Sequence, residues 1–228
     1  MTRALLLDLY GTLVEPDWAA LTAGRDAIAD RVGVPRAEAQ SAWTSTHEAR
    51  MRGQHGSLEG DLAAVLAKAG IGSEVTDDLL AELAAFEQAN WRRGVRLYPD
   101  VVPALGRLRR AGARLAIVTN ASAEAAGVVP ALGLDGLVDV VLASCDARTV
   151  KPDLLLLALS ELGIPRAEAV LVDDEPAQVV AATAMGMRAI LIRRGAADIS
   201  AAGDAATAVV RDMSEVEVHV PALTGPRG

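Results

Sequence analysis

Five stretches of the chain are almost continuously apolar: residues 3–8, 113–119 (ARLAIVT), 138–144 (VDVVLAS), 169–174 (AVLVDD) and 188–194 (RAILIRR). Apolar runs that do not alternate with polar positions are the pattern of strands covered on both faces, as in a parallel sheet. Between them, residues 100–111, 122–132, 152–163 and 176–186 carry helical spacing, with Gly112, Gly133, Gly163 and Gly186 where C-terminal caps belong. Strand and helix in alternation predict an α/β fold, a doubly wound parallel-sheet (Rossmann-like) core. A weaker strand is expected near 207–210, and the tail from Pro221 to Gly228 reads as frayed.

Residues 15 to 95 read differently, with helical periodicity throughout and no convincing strand. Pro16, Pro35, the stretch from Gly53 to Gly60 and that from Gly70 to Ser73 divide this region into about four helices. An insertion of that length is too long for a loop. It predicts an all-helical cap domain over 15–96, with the α/β core over 1–14 and 97–228 and hinges near Val14 to Pro16 and Arg93 to Pro99.

The 228 residues, half of them apolar, are enough to bury a full core. A formal charge of -8 argues against nucleic acid as a partner, because phosphate backbones are held by basic surfaces. No apolar run is long enough for a bilayer, and Asp8 interrupts the N-terminal one, which reads as a strand and not as an export signal. A cytoplasmic location is expected. The single Cys145 allows no internal disulfide and no cysteine-based zinc cluster. Any small anionic metabolite must then be held by local groups. Nothing in the pattern specifies an oligomeric state.

In an open parallel sheet the ligand crevice lies beyond the carboxyl ends of the strands. Four polar signals fall there: Asp8 after the first strand, Thr119 and Asn120 after the second, Lys151 before the helix at 152–163, and Asp173 and Asp174 after AVLV. Each has an ordinary use: a turn exit, a helix N-cap, a solvated lysine before a proline, an acidic helix start. Four in this order, each at a strand exit, point to one site.

The stretches LLLDLYGTLV, LAIVTNAS, VKPDLLLLAL and VLVDDEPAQVVAATAMGM resemble the four successive motifs of the haloacid dehalogenase-like hydrolase superfamily. The resemblance covers nearly the whole chain, including a helical cap inserted after the first motif. It implies that Asp8 is a nucleophile forming a covalent aspartyl intermediate that water then hydrolyses. It implies that Thr119, with Asn120 beside it, binds the transferred group, that Lys151 neutralises charge on Asp8 and substrate, and that backbone N–H groups from Leu9 through Tyr10 and Gly11 to Thr12 cradle the anion.

Two features pull in opposite directions. Phosphatases of the superfamily carry a second Asp two residues after the nucleophile as general acid, where this chain has Tyr10, as the haloacid dehalogenases do. A phenol with a reference pKa near 10 is a poor proton donor at neutral pH, whereas halide leaves without a proton. Against this, dehalogenases carry Ser and Asn where this chain has Asp173, Asp174 and Glu175, and they place a cap arginine near the position of Thr44, for which Arg50 or Arg52 could substitute. Asp8 and Asp174 a few ångströms apart would repel by about 4 kcal/mol at an effective dielectric of 20. Mg²⁺ held by Asp8, the Tyr10 backbone carbonyl and Asp174, with Asp173 as a further candidate ligand, would remove that cost.

The expectation is therefore a Mg²⁺-dependent phosphatase acting on a small phosphorylated metabolite, with a leaving group good enough to need no general acid. A metal-independent 2-haloacid dehalogenase and a non-catalytic binding descendant are the alternatives. Gln178 departs from the Asp or Asn that supports the metal in many relatives. In the cap, His47 and Arg50 are the substrate-facing candidates, with Trp18, Trp43, Arg52 and His55 near them and His47, Arg50 and His55 close enough to form one polar patch.

Overall fold

The structure, a computed structural model, describes residues 2–72, 75–195 and 205–220. Six parallel strands form one sheet: β1 (Ala4–Leu7), β4 (Arg114–Thr119), β5 (Val140–Ala143), β6 (Ala169–Asp173), β7 (Arg188–Ile192) and β8 (Ala208–Val210). Their order is β5-β4-β1-β6-β7-β8, so β1 lies in the middle and the chain winds outward on both sides of it. The apolar runs explain why. Along each central strand alternate residues feed opposite faces: Leu5, Leu7, Leu115, Ile117, Val170, Val172, Ile190 and Ile192 join one core. Ala4, Leu6, Ala116, Val118, Leu171 and Leu191 join the other. Helices α6 (Val101–Arg110) and α11 (Met213–His219) cover the first face; α9 (Asp153–Leu162) and α10 (Pro176–Ala184) cover the second. The predicted glycine caps at 112, 133, 163 and 186 all have positive φ.

One predicted helix is replaced. Residues 122–132 form a 3₁₀ turn (Ala123–Gly127) followed by the four-residue α7 (Val128–Ala131). Gly127, two β-branched valines and Pro130 in succession are poor helix formers, and Pro130 lacks the N–H that a continuing helix would use.

Among its described residues the intervening region has five helices where about four were expected: α1 (Trp18–Val32), α2 (Arg36–Ser45), α3 (His47–Met51), α4 (Leu58–Lys68) and α5 (Asp77–Gly94). The extra break falls at Thr46. The hydroxyls of Thr44, Ser45 and Thr46 bond back to the carbonyls of Gln40 and Ala42, competing with the helical ladder. Two three-residue strands unseen in the sequence, β2 (Val14–Pro16) and β3 (Val95–Leu97), pair antiparallel at the base of this region, on the stretches named as hinges. Three residues including a proline are too short a signal to read. The helices pack around Trp43, Leu62, Leu66 and Leu83. The weak strand near 207–210 is present as β8; the Pro221–Gly228 tail and Ser73 lie outside the described residues.

Candidate active site

In-register pairing sets Leu7 of β1 beside Ile117 of β4 and Val172 of β6, so these strands end level with one another. Asp8, Thr119 and Asp173 therefore emerge at one edge of the sheet. Lys151 reaches in from the loop before α9, donating to Asp8 Oδ1 at 2.5 Å and to Asp173 Oδ2 at 2.7 Å. The Lys151 backbone N–H donates to Asn120 Oδ1 at 2.9 Å, fixing the loop to the end of β4. The ammonium is buried. Burial alone would lower its pKa, but Asp8 and Asp173 outweigh that and raise it, keeping it charged.

Carboxylates are in excess. Oxygens of Asp8, Asp173 and Asp174 lie within 4.8 Å of one another, against one ammonium. Burial lifts Asp8 to about 7, with Asp173 adding to it and Lys151 opposing. Asp174 rises to about 6 through burial and then the charges of Asp173 and Glu175. Both oxygens of Asp173 are engaged, one by Lys151 and one by the Glu175 N–H at 2.9 Å. Asp173 thus holds the lysine, while Asp8 and Asp174 face the crevice. Buried oxygen donors of raised pKa converging on one point suit a hard divalent cation.

Gly11 makes this approach possible. Its φ is +77°, and a Cβ there would lie 2.3 Å from Asp174 Oδ2. Its N–H donates to the Val14 carbonyl at 2.9 Å, which removes it from the expected anion cradle. The side chains of Leu9 and Thr12 are also absent from the crevice: both are fully buried, and the Thr12 carbonyl accepts two bonds from Arg194. Whatever Leu9 and Thr12 supply to an anion comes from their backbone.

The crevice itself has a volume of about 840 Å³. Asp8, Tyr10, Gly11, Thr119, Asn120, Lys151 and Asp174 line its sheet side, and Trp18, His47 and Arg52 face them from the helices. Thr119 Oγ1 is buried without a hydrogen-bond partner among the described residues, so a ligand atom would satisfy it. Burial, followed by Arg50 and Arg25, lowers the His47 pKa and favours the neutral ring.

Arg50 lies outside the main crevice but lines a smaller cavity with Tyr10, His47 and Asn120; it is only 2% exposed and donates to the Trp43 carbonyl and to Ser122 Oγ, with Glu124 at 3.6 Å. Of the expected His47, Arg50 and His55 patch, His47 and Arg50 line common cavities while His55 bonds Asp61 at 2.9 Å; Trp43 joins the helical core. Thr44 also lies away from the crevice, whereas Arg52 lines it. Gln178 donates to Glu175 at 3.3 Å.

Arg194, which no motif marks, also lines the crevice and stacks on Tyr98 at 4.1 Å while its Nη1 donates to both Asp100 oxygens at 2.8 Å. The strand-exit rule that found Asp8 applies equally to Arg193 and Arg194 after β7. Arg25, Glu87 and Glu124 lie at no strand exit and in no motif, so no local signal marks them.

Comparison with known proteins gives a consistent picture. Residues 2–186 match the model of the haloacid dehalogenase-like hydrolases. A phosphatase of Mycobacterium tuberculosis is 29% identical over 93% of this chain and 94% of its own. Phosphoglycolate phosphatase 1 of Pseudomonas aeruginosa is 31% identical over 86% of this chain and 71% of its own. In fold, the 2-haloacid dehalogenase of Pseudomonas syringae pv. Tomato superposes with a TM-score of 0.77 at 24% identity, covering 96% of this chain and 98% of its own. Among the described residues no helix is long and apolar enough to cross a membrane.

Proposed function

The chain belongs to the haloacid dehalogenase-like hydrolases, and from that premise we propose that it is a Mg²⁺-dependent phosphatase of a small phosphorylated metabolite, with Asp8 as the nucleophile. The observation that carries this reading is the excess of carboxylate: Asp8, Asp173 and Asp174 against Lys151 alone. A 2-haloacid would bring a further carboxylate into that field, at a cost on the order of kcal/mol per close pair. Phosphoryl transfer is served by such a site because a divalent cation fits it.

In this reading Lys151 holds the Asp8 carboxylate ionised and aimed, and Asp173 holds Lys151. Asp8 attacks phosphorus, the bond to the leaving oxygen breaks with that oxygen departing as an anion that takes its proton from water, and a second water attacks the aspartyl intermediate to release phosphate and restore the Asp8 carboxylate. Thr119 donates to a phosphate oxygen and Asn120 fixes the Lys151 loop. Bound Mg²⁺, held by Asp8, Asp174 and the Tyr10 carbonyl, would supply charge neutralisation for phosphate and carboxylates together. The helices of 15–96 act as a cap that excludes water, with β2 and β3 at its hinge. A cytoplasmic setting belongs to the same reading.

Release of inorganic phosphate from generic phosphate esters, with and without Mg²⁺, tests it. Turnover that needs the metal and is lost in Asp8→Asn is expected. Tyr10 in place of a general acid favours the second reading, metal-free dehalogenation; halide release from 2-chloropropionate in the presence of chelator would put it first.

A further inference from the structure

The chain has three Trp, two Tyr and one Phe, and half of these aromatic residues line the main crevice: Tyr10, Trp18 and Tyr98. Two of the three are already covered. Arg194 stacks on Tyr98 at 4.1 Å, and Tyr10 packs against Trp91 with ring centroids 5.3 Å apart. Trp18 differs. Its indole is 59% exposed, although tryptophans are mostly well buried in folded proteins. Among the described residues its one aromatic neighbour is Trp91, at 6.3 Å and 89°, a perpendicular contact that takes at most one face of the ring.

The backbone fixes where this ring stands. Trp18 opens α1 directly after Asp17, whose side chain accepts the Ala20 N–H at 3.0 Å and whose own N–H donates to the Gly94 carbonyl at 2.7 Å. The two ends of the helical region are thereby joined beneath the indole. Pro16 and Met51 line the crevice with it, which makes this part of the wall apolar, opposite the carboxylates. Because Trp91 touches Tyr10 as well, two ring contacts separate Trp18 from the residue two positions after Asp8. The open indole therefore borders the space that the part of a substrate beyond its phosphate would fill.

Leaving-group chemistry narrows what fills it. With Tyr10 in place of a carboxylic acid, the leaving oxygen departs as an anion. An aliphatic alcohol gives up its proton about as reluctantly as water, whose pKa is about 15.7, whereas a phenol does so at about 10. A phenolate thus leaves far more readily than an alkoxide when no acid assists. Its ring is also flat, and a flat aromatic ring stacks on an indole face in a way that a saturated ring cannot.

We propose that Trp18 is a stacking platform for an aromatic leaving group, so that the preferred substrates are aryl phosphates. This rests on the phosphatase reading for the identity of the reacting group. Asp8 bonds to phosphorus as the bond from phosphorus to the aryl oxygen breaks; the phenolate keeps the bonding pair and takes its proton from water, and a second water then frees phosphate from Asp8. One exposed side chain and one missing acid, unrelated in the sequence, select the same class of substrate.

The test compares phenyl phosphate with cyclohexyl phosphate, whose rings are similar in size. The saturated ring is the more hydrophobic, so burial alone favours it and only stacking favours phenyl. Binding of each to the full-length Asp8→Asn protein with Mg²⁺ is measured by calorimetry, which needs no turnover and so removes leaving-group acidity from the comparison. Phosphate release by the wild type is followed in parallel. Phenyl phosphate should bind about tenfold tighter. Trp18→Ala in the same background should bring the two affinities together, and Trp18→Phe should restore most of the difference; an exposed side chain leaves no core cavity behind, so both variants should fold. Equal binding, tighter binding of cyclohexyl phosphate, or a phenyl preference that survives Trp18→Ala overturns the platform and leaves the phosphatase standing. Ring-selective binding that depends on Trp18, without phosphate release from phenyl phosphate or any other phosphate, keeps the platform and removes the phosphatase.

Discussion

Two buried charge clusters sit side by side in this molecule, and they are built on opposite rules. At the carboxyl edge of the sheet, Lys151 is met by two carboxylates with a third nearby, and acid exceeds base. Among the helices and the 3₁₀ turn, Arg25 and Arg50 are matched by Glu87 and Glu124, and aromatic faces cover the guanidinium groups. The unbalanced cluster is poor as a structural element, since like charges held together in low dielectric raise one another's pKa. It is well suited to recruiting a cation and an anionic substrate. The balanced cluster resembles a structural ion-pair network, with Glu124 Oε2 left over.

The contrast is broken most severely at Asp8. Asp8→Asn should cost at least about 10³-fold in phosphate release, with the protein still folded by circular dichroism. Retention of full turnover would make the acid excess irrelevant to chemistry.

Lys151→Met comes next. It leaves Asp8 and Asp173 buried without their cation, and breaking a buried pair in this way costs about 3–5 kcal/mol. The loss, read from urea unfolding, should be largest at pH 8 and smaller at pH 5, where the acids can protonate.

In the balanced cluster, Glu87→Gln removes the charge and one of the two acceptor oxygens that serve Arg25, Asn90 and Trp91. A stability loss of about 1–3 kcal/mol is expected that does not grow from pH 5 to 8, because burial raises the Glu87 carboxyl above its ordinary value. A pH dependence like that of Lys151→Met would erase the distinction between the two clusters.

The pH response of the metal-free protein sharpens it further. Asp8 and Asp174 rise from the ordinary carboxyl value of about 4 to about 7 and about 6 on folding. The folded state thus holds more protons than the unfolded one between pH 4 and 7. Their contribution to stability is fully present below pH 4 and is lost as pH rises through 6 and 7. Added Mg²⁺ should raise the melting temperature at pH 8 more than at pH 5. The smallest effect on stability belongs to Gly11→Ala, about 1 kcal/mol from the positive φ alone. Because the new methyl displaces Asp174, it should weaken Mg²⁺ activation about tenfold, seen as a shift in the metal concentration giving half-maximal rate.

Much of this was legible from residue order. The five apolar runs specified the five longer strands of the sheet, because a strand buried on both faces must be apolar at odd and even positions alike; β5 departs from this, lying at the sheet edge with Val141 exposed. Asp8, Thr119, Lys151 and Asp174 were legible because chemistry in such sheets gathers at strand exits. The 3₁₀ turn at 123–127 was not, since helical spacing outweighed Gly127 and Pro130 in the reading. Nor were the β2 and β3 pairing and the burial of Arg50, which depend on partners up to about eighty residues away.

What the chain determined alone was the order of strands and helices and the presence of acids at the right exits, because hydrophobic period and turn chemistry are local. Only tertiary structure decided which acid holds Lys151 and which faces the crevice, and that Glu124 meets Arg25 and Arg50 behind Tyr10. Those choices depend on the register between strands and on helices packed across the sheet edge, distances that no stretch of sequence contains.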